Sequence, residues 1–440
     1  MSDERSRLLT RRALRISVAE GLLHAVMVGA CESYLGAFAV ELGHRGTALA
    51  VLATVPILAG ALFQLFTGPL VRWLGTRKRV AVFGAALQAA VVGTFVLIAL
   101  TRDDRLVSLL AAKVLFWIAG AIVAPVWGAW MASLIRGRRR ERYFALRSGA
   151  AQVGLLVAFL LAGVSIHARA DAADPLRPFV ALFVVATIAR AFSALALLLQ
   201  PDPRKVAAPP AASGPRLLEV IRGSQWTTAI YLTFLMTGAN IAVPFFTPYM
   251  LQTLQLDYAR FASIIAISLV VKAVFFPFCH RLASRLGLRA MLGIGGTGVA
   301  AVALLWASSP SLAVVALAQV LGGVSWSALE YSSYQLLLRS APHPVRVEFL
   351  SIAGSLVGVG TVAGSLVGGL LLDRLGLDYR DLFILSGLCR VLALAPLFGL
   401  PRRLFPGELQ HLLWRLVSVR PVGGGVQRPI LRDEDREEDE

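Results

Sequence analysis

Apolar residues in this chain fall in long, nearly unbroken stretches, without the two-residue alternation of exposed strands. Twelve stretches stand out, at residues 17–42, 47–71, 80–101, 107–131, 144–167, 178–199, 227–253, 258–282, 290–308, 311–338, 347–372 and 381–400. Each is near or above the roughly 20 apolar residues that cross a bilayer as an α-helix. Strands of a membrane barrel are about half that length and alternate in polarity. Inside lipid every backbone N–H and C=O needs an internal partner, which a helix supplies by itself. The pattern predicts an all-α polytopic membrane protein with twelve transmembrane helices. Between segments 6 and 7 runs "QPDPRKVAAPPAASGPRLLEVIRGSQW", whose Pro, Ala and Ser mark a linker. The expected organisation is an N-terminal segment 1–16, a six-helix bundle 17–199, a linker 200–226, a second six-helix bundle 227–400 and a tail 401–440.

Composition agrees, with 57% hydrophobic and only 16% charged residues, against about 25% charged in soluble domains. The net charge of +17 would suggest nucleic acid if it were clustered on one soluble face. Instead it alternates loop by loop. One side receives "RSRLLTRRALR", "RWLGTRKR", "RGRRRER", Arg216 and Arg222, "RLASRLGLR", and Arg339 with Arg346. The other receives scattered arginines such as Arg45, Arg102, Arg169 and Arg260. Basic loops stay on the cytoplasmic side, so both termini are expected there, in a cell (plasma or inner) membrane, with no nucleic-acid partner. The basic N-terminus leads into an apolar stretch without a small-residue cleavage site, which reads as a spanning helix and not a signal peptide. The three cysteines, Cys31, Cys279 and Cys389, lie in apolar segments and suit core positions. In the tail, "GELQHLLWRLVSV" (407–419) is amphipathic, and "RDEDREEDE" reads as a solvated acidic end.

The two halves echo each other. "WLGTR" (73–77) follows segment 2 and "RLGLR" (285–289) follows segment 8. Arg190 in segment 6 has a counterpart in segment 12, Arg390, and both are expected to be structural, with stems long enough to snorkel.

These features resemble the major facilitator superfamily, over residues 15–400. The superfamily's loop signature, roughly Gly-x-Leu-x-Asp-Arg-x-Gly-Arg-Lys/Arg, is matched in "GPLVRWLGTRKR" by Gly68, Leu70, Gly75, Arg77 and Lys78. The acidic position is Arg72 here and Ser284 in the later copy, while Asp373 keeps the acid in a loop on the other side. The resemblance implies a gating loop at Gly68, Arg72, Gly75 and Arg77, with its usual acidic latch missing. "CESYLGAFAVELG", "WGAWMASLI" with "RRRERYFALR", and "NIAVPFFTPYML" are similar to a bacterial branch of the superfamily. The Gly- and Pro-rich signature of drug–proton antiporters is absent from "SGAAQVGLLVAFLLAGVSI". By the same resemblance, segments 1, 4, 7 and 10 line a central cavity and 2, 5, 8 and 11 flank it.

Ionisable residues within spans mark function by default. They are Glu20, His24 and Glu32 in segment 1, Lys113 in segment 4, Lys272 in segment 8 and Glu330 in segment 10. Counting about 1.5 Å per residue, Glu32 and Lys113 lie about 15 and 9 Å from one membrane face, and Lys272 and Glu330 about 21 and 28 Å. Each half offers one carboxylate and one ammonium, suited either to static ion pairs or to binding. In "WSALEYSSYQ", Trp326, Glu330 and Tyr334 share a helix face, and Trp127 and Trp130 are their match in segment 4. Asn240, Pro244 and Pro248 predict a broken helix. Gly360, Gly364 and Gly368 predict close helix packing. Candidate substrate-binding residues are Glu32, Lys113, Trp127, Asn240, Lys272, Trp326, Glu330 and Tyr334, with Glu32 and Glu330 as proton-coupling carboxylates. Glu20 and His24, one turn apart, offer either a proton relay or a polar contact near the headgroups. No phosphate loop, metal cluster or nucleophile–base motif appears, so no cofactor, metal or enzymatic activity is expected. The expected function is secondary active transport, by a monomer, of a small anionic or zwitterionic organic solute, coupled to protons. The alternatives are export of amphipathic drugs or lipids, and a non-transporting receptor or scaffold.

Overall fold

The computed structural model describes residues 2–44, 47–135, 137–167, 174, 176–201, 225–256, 258–340 and 345–399. Most of the expected linker 200–226, and the whole tail 401–440 with its amphipathic and acidic stretches, lie outside the described residues.

The described chain is helical, with no strand among the described residues. The principal helices are α1 (Ser2–Ala30), α2 (Thr47–Phe63), α3 (Arg77–Thr101), α4 (Leu106–Leu134), α5 (Gly137–His167) and α6 (Arg177–Leu199). They continue with α7 (Gln225–Asn240), α8 (Tyr258–Phe275), α9 (Leu288–Ser308), α10 (Leu312–Ser340), α11 (Arg346–Leu375) and α12 (Tyr379–Leu392). Among the described residues, eleven spans are long and apolar enough to cross a membrane. The twelfth expected span is interrupted: α12 has 14 residues and is followed by a five-residue 3-10 helix, Ala395–Gly399. The start of the first also differs. α1 begins at Ser2, so the basic residues expected to precede the helix form its opening turns.

Several spans are broken where the sequence removes or redirects backbone hydrogen bonds. Span 1 passes through a 3-10 turn, Glu32–Tyr34, into a short helix, Leu35–Glu41. Span 2 passes through Gln64–Phe66 into Thr67–Leu74, which ends on Gly75 at φ 80°. That left-handed conformation favours glycine. Span 7 is the most irregular. After Asn240 the α-helix stops, a 3-10 turn Val243–Phe245 carries Pro244, and a π-turn Tyr249–Thr253 follows Pro248. Proline has no N–H to donate and crowds the preceding turn, so the break falls where the two prolines predict it.

Packing repeats with a period of six spans. α1 packs on α5 and α6 as α7 packs on α11 and α12; α3 packs on α4 and α6 as α9 packs on α10 and α12. The main contacts between the two sets are α2 with α11 and α5 with α8, again equivalent pairs. Gly360, Gly364 and Gly368 bring α11 against α7. A Cβ at Gly364 would lie 2.1 Å from the Thr237 carbonyl oxygen, and one at Gly368 would lie 2.2 Å from that of Ile241. The stripe is a packing surface, as expected. Phe38, Phe95, Phe116 and Phe183 form one aromatic core, while Leu97, Leu100, Leu161 and Val164 point outward and exposed, as a lipid-facing surface requires.

Candidate functional site

The clearest charged contact at mid-span is on α8 and α10. Lys272 Nζ donates to Glu330 Oε1 at 2.7 Å, with side-chain exposures of 16% and 38%. Glu330 sits well inside α10, while Lys272 lies in the last turn of α8, just before the 3-10 turn Phe276–Phe278 that breaks span 8. Each is held by this one ionic contact and keeps part of its surface open. Glu330 shares a face of α10 with Trp326 and Tyr334. Trp326 is partly buried against the α7–α9 core, whereas Tyr334 reaches across to α4 and α5. Its ring meets Phe144 edge to face at 5.2 Å, and a Cβ on Gly128 would lie 2.5 Å from its hydroxyl.

Glu32 and Lys113 are close enough to interact electrostatically, yet they form no direct ion pair. Lys113 is buried, at 9% exposure. Glu32 lies in the 3-10 break of span 1. Asn240 ends α7 with its side-chain amide donating to the Met236 carbonyl at 2.8 Å, and stands beside Gly364 of α11. Trp127 and Trp130 are buried, at 9% and 2%. Trp127 packs edge to face on Phe144 at 5.7 Å under the Arg147 guanidinium, 3.8 Å above its ring. It is therefore a packed residue, and the two tryptophans do not mirror Trp326 as free cavity walls.

The expected Glu20–His24 pairing does not form. Glu20 is instead gripped by Arg147, Nη2 to Oε2 at 2.7 Å, and faces Ser193 Oγ at 3.2 Å and Arg190 Nη1 at 3.8 Å. Two guanidinium groups, from α5 and α6, outcompete an imidazole on the same helix. His24 Nδ1 is buried with no partner. Arg190 and Arg390 are structural but do not snorkel: each is 1% exposed. Arg190 also bonds Ser193, and Arg390 donates to the carbonyls of Val299 at 2.7 Å and Ala239 at 3.1 Å. Sequence reasoning missed Arg147 as a partner of Glu20, because it lies next to a run of basic residues read as a loop.

At the end of the bundle that carries the basic connections, contacts join the two sets of helices. Arg72 Nη1 meets Glu348 Oε1 of α11 at 3.5 Å. A Cβ on Gly68 would lie 3.1 Å from the Glu348 side chain, so a larger residue there would crowd the pair. Arg339 donates to Glu141. Deeper along the same two spans, Ser355 Oγ donates to the Ala61 carbonyl at 2.5 Å. The arginine at the acidic position of the loop signature thus has an acid waiting on the opposite helix. Gly75 ends the span before it, and Thr76 Oγ1 caps α3 by accepting from Arg79 N at 3.2 Å. Among the described residues no group of His, Cys, Asp and Glu is placed to hold a metal ion. All three cysteines are free thiols.

Similar solved structures include the human organic anion transporter MFSD10 (TETRAN), at 16% identity and TM-score 0.66, covering 89% of this chain and 99% of that one. A bacterial homologue of the iron transporter ferroportin in an outward-facing state is 17% identical, with TM-score 0.68 and coverage of 88% and 98%. The E. coli fucose:proton symporter FucP is 14% identical, with TM-score 0.70 and the same coverage, 88% and 98%. Likenesses this distant show the fold. No curated protein matches the chain. The sequence model of the Major Facilitator Superfamily matches residues 22–248 and 228–421. Twelve principal helices packed with a six-helix repeat, and a family match along most of the sequence, make this chain a member of the major facilitator superfamily of membrane transporters.

Proposed function

We propose that this protein moves a small organic anion or zwitterion by alternating access, with protons as the coupling ion. The observation that carries this reading is the Lys272–Glu330 contact, a single 2.7 Å ion pair at mid-span with both partners partly open. A lone charge at the bilayer centre costs roughly 2.5–3.5 kcal/mol on insertion scales. A pair that is satisfied by one contact and still accessible is suited to exchanging that contact for a substrate group. An anionic group takes Lys272, and the freed Glu330 takes a proton or the cationic end of a zwitterion. Glu32 and Lys113 supply the corresponding groups on the other half, with Asn240, Trp326 and Tyr334 as polar and aromatic neighbours. The organic anion and fucose:proton transporters that share the fold lend the class support, at identities too low to carry a substrate across.

The basic end is read as cytoplasmic, in a plasma or inner membrane, so the contacts gathered there form the inner gate. In this reading Gly68, Arg72, Gly75 and Arg77 belong to a latch whose polarity is reversed, with the cation on the loop and the acid, Glu348, on α11. A reversed latch removes the main sequence argument for a receptor that has lost transport. The expected behaviour is that of a monomer needing no cofactor.

The test is uptake into proteoliposomes under an imposed pH gradient, scanning organic anions, zwitterions and cations. Accumulation of an anion or zwitterion that Glu330→Gln abolishes, with exchange spared, supports the reading. Gradient-driven accumulation that persists in Glu330→Gln, in Glu32→Gln and in the double variant excludes these carboxylates as coupling sites.

A further inference from the structure

Below the central pair, toward the basic end, the two sets of helices meet around Arg147 of α5. Its Nη2 donates to Glu20 Oε2 at 2.7 Å, its Nε donates to the Ser17 carbonyl at 3.2 Å, and its guanidinium covers Trp127 at 3.8 Å. Gly21 makes room for it, since a Cβ there would lie 2.8 Å from Arg147 Cζ. Tyr334 enters from the other set of helices, against Gly128, the neighbour of Trp127, and within electrostatic reach of Arg147. Trp127 Nε1 and the Tyr334 hydroxyl are both buried and hydrogen-bond to nothing. Buried donors are nearly always paired. Two unpaired ones on opposite sides of one seam, beside a guanidinium, are a set lacking an acceptor.

The geometry points to a second, inner anion subsite formed by Arg147, Trp127 and Tyr334, which takes the anionic group of the transported solute as the seam opens. The inference rests on the transport reading above and extends it to residues that the central pair does not include. The chemistry that fits is a carboxylate, sulfonate or phosphate monoester. Each brings negative charge for the guanidinium and several acceptor oxygens for the two donors, and charge-assisted bonds of this kind are the strong ones. Glu20 already shows Arg147 holding a carboxylate. Tyr334 is one helical turn from Glu330, about 6 Å along α10, so an anion leaving Lys272 meets these donors next on its way to the basic end. The rival is a packing seam that tolerates two unpaired groups.

The two readings separate on isosteric variants of the full-length purified protein. Benzoate, benzenesulfonate and phenyl phosphate are the probes, with benzyl alcohol as the neutral control, and dissociation constants and melting temperature are both measured. Removing an unpaired buried hydroxyl does not destabilise, so Tyr334→Phe should melt at the wild-type temperature or higher. The same variant should bind an anionic probe about tenfold more weakly or worse, the loss of one hydrogen bond to a charged group. Trp127→Phe should weaken the anion likewise, and benzyl alcohol should be unaffected in both. Wild-type anion affinity in both variants overturns the subsite. Lys272→Met separates this idea from the central one. Loss of binding there with retention in Tyr334→Phe and Trp127→Phe leaves the central pair alone standing. Loss in Tyr334→Phe with retention in Lys272→Met leaves only the inner set. No preference of the wild type for any anionic probe over benzyl alcohol overturns both.

Discussion

Two charged clusters inside the bundle are built from the same chemistry and differ in how completely they are closed. In the first half Glu20 is 3% exposed and meets Arg147, Arg190 and Ser193. In the second half Glu330 meets Lys272 alone and keeps 38% of its side chain open. The shortest contact is 2.7 Å in both, so bond length does not tell them apart. What differs is the number of partners and the access of solvent or solute. A carboxylate surrounded by two guanidinium groups has nothing to exchange without leaving a buried cation behind. A carboxylate with one partner and an open face can change partners at modest cost. The comparison teaches that an intramembrane charge is read by its unmet capacity, and that a closed network argues for architecture.

Breaking the closed cluster should have the largest effect. Glu20→Gln leaves Arg147 and Arg190 buried without their carboxylate, and losing one partner of a buried ionic group typically destabilises by about 3–5 kcal/mol. The expected outcome is a sharp fall in folded yield and melting temperature in detergent, whatever solute is present. A Glu20→Gln protein that folds as well as wild type and loses only transport would show that Glu20 and Arg190, and not Arg147 alone, serve the solute.

The open pair should respond differently. Lys272→Met should destabilise by less, about 1–2 kcal/mol, because Glu330 retains access to water. Transport should nonetheless be lost. Combining Lys272→Met with Glu330→Gln should restore the melting temperature but not anion affinity. If the double variant recovers both, the pair is a static clasp and the contrast between the clusters disappears. Double-variant comparison isolates the pair, since the two side chains touch.

Lys113 tests the same contrast from the side. It is buried but makes no direct ion pair, so Lys113→Met removes a desolvated charge without stranding a bonded carboxylate. Stability should be unchanged or rise by about 1 kcal/mol, while binding of an organic anion weakens. A marked loss of stability would show that Lys113 and Glu32 act as a pair despite their separation.

Much of this is legible in the sequence, for physical reasons. Lipid forces backbone bonds to close within each span, so apolar length alone predicted the helices, and the Pro244–Pro248 break followed from the missing N–H groups. The Lys272–Glu330 contact was inferable from the expense of two mid-span charges on neighbouring helices. The partners of Glu20 were not, because an i, i+4 histidine is visible in sequence while arginines 127 and 170 residues away become neighbours only when α1 packs on α5 and α6. Trp127 shows the same limit. An aromatic stripe looks the same whether it lines a cavity or lies under an arginine. Span 12 was legible as an apolar stretch, but not that "ALAPLFG" (393–399) carries it on past the α-helix into a 3-10 helix.

The smallest expected effect, and the sharpest test of the latch, is at the basic end. Arg72 and Glu348 lie 3.5 Å apart with side-chain exposures of 36% and 21%. A partly exposed pair of this kind contributes about 0.5–1 kcal/mol, too little to affect folding. It is enough to shift a balance between two carrier states, since 1.4 kcal/mol is a tenfold change in population. Arg72→Glu places two acids together, so the population closed at the basic end should fall severalfold. The measurement is the labelling rate, by a membrane-impermeant maleimide, of a cysteine placed at the gate in a cysteine-free background, with the basic end exposed to reagent. Glu348→Arg alone should raise labelling equally, by opposing two arginines. The exchange of both, Arg72→Glu with Glu348→Arg, rebuilds the pair in the polarity of the superfamily's loop signature and should return labelling to the wild-type rate. Rescue by the exchange identifies the contact as a latch whose sign is immaterial. If the exchanged protein labels as fast as the single variants, the arginine is held there by something other than Glu348, and closure of the basic end rests on Glu141 and Arg339 instead.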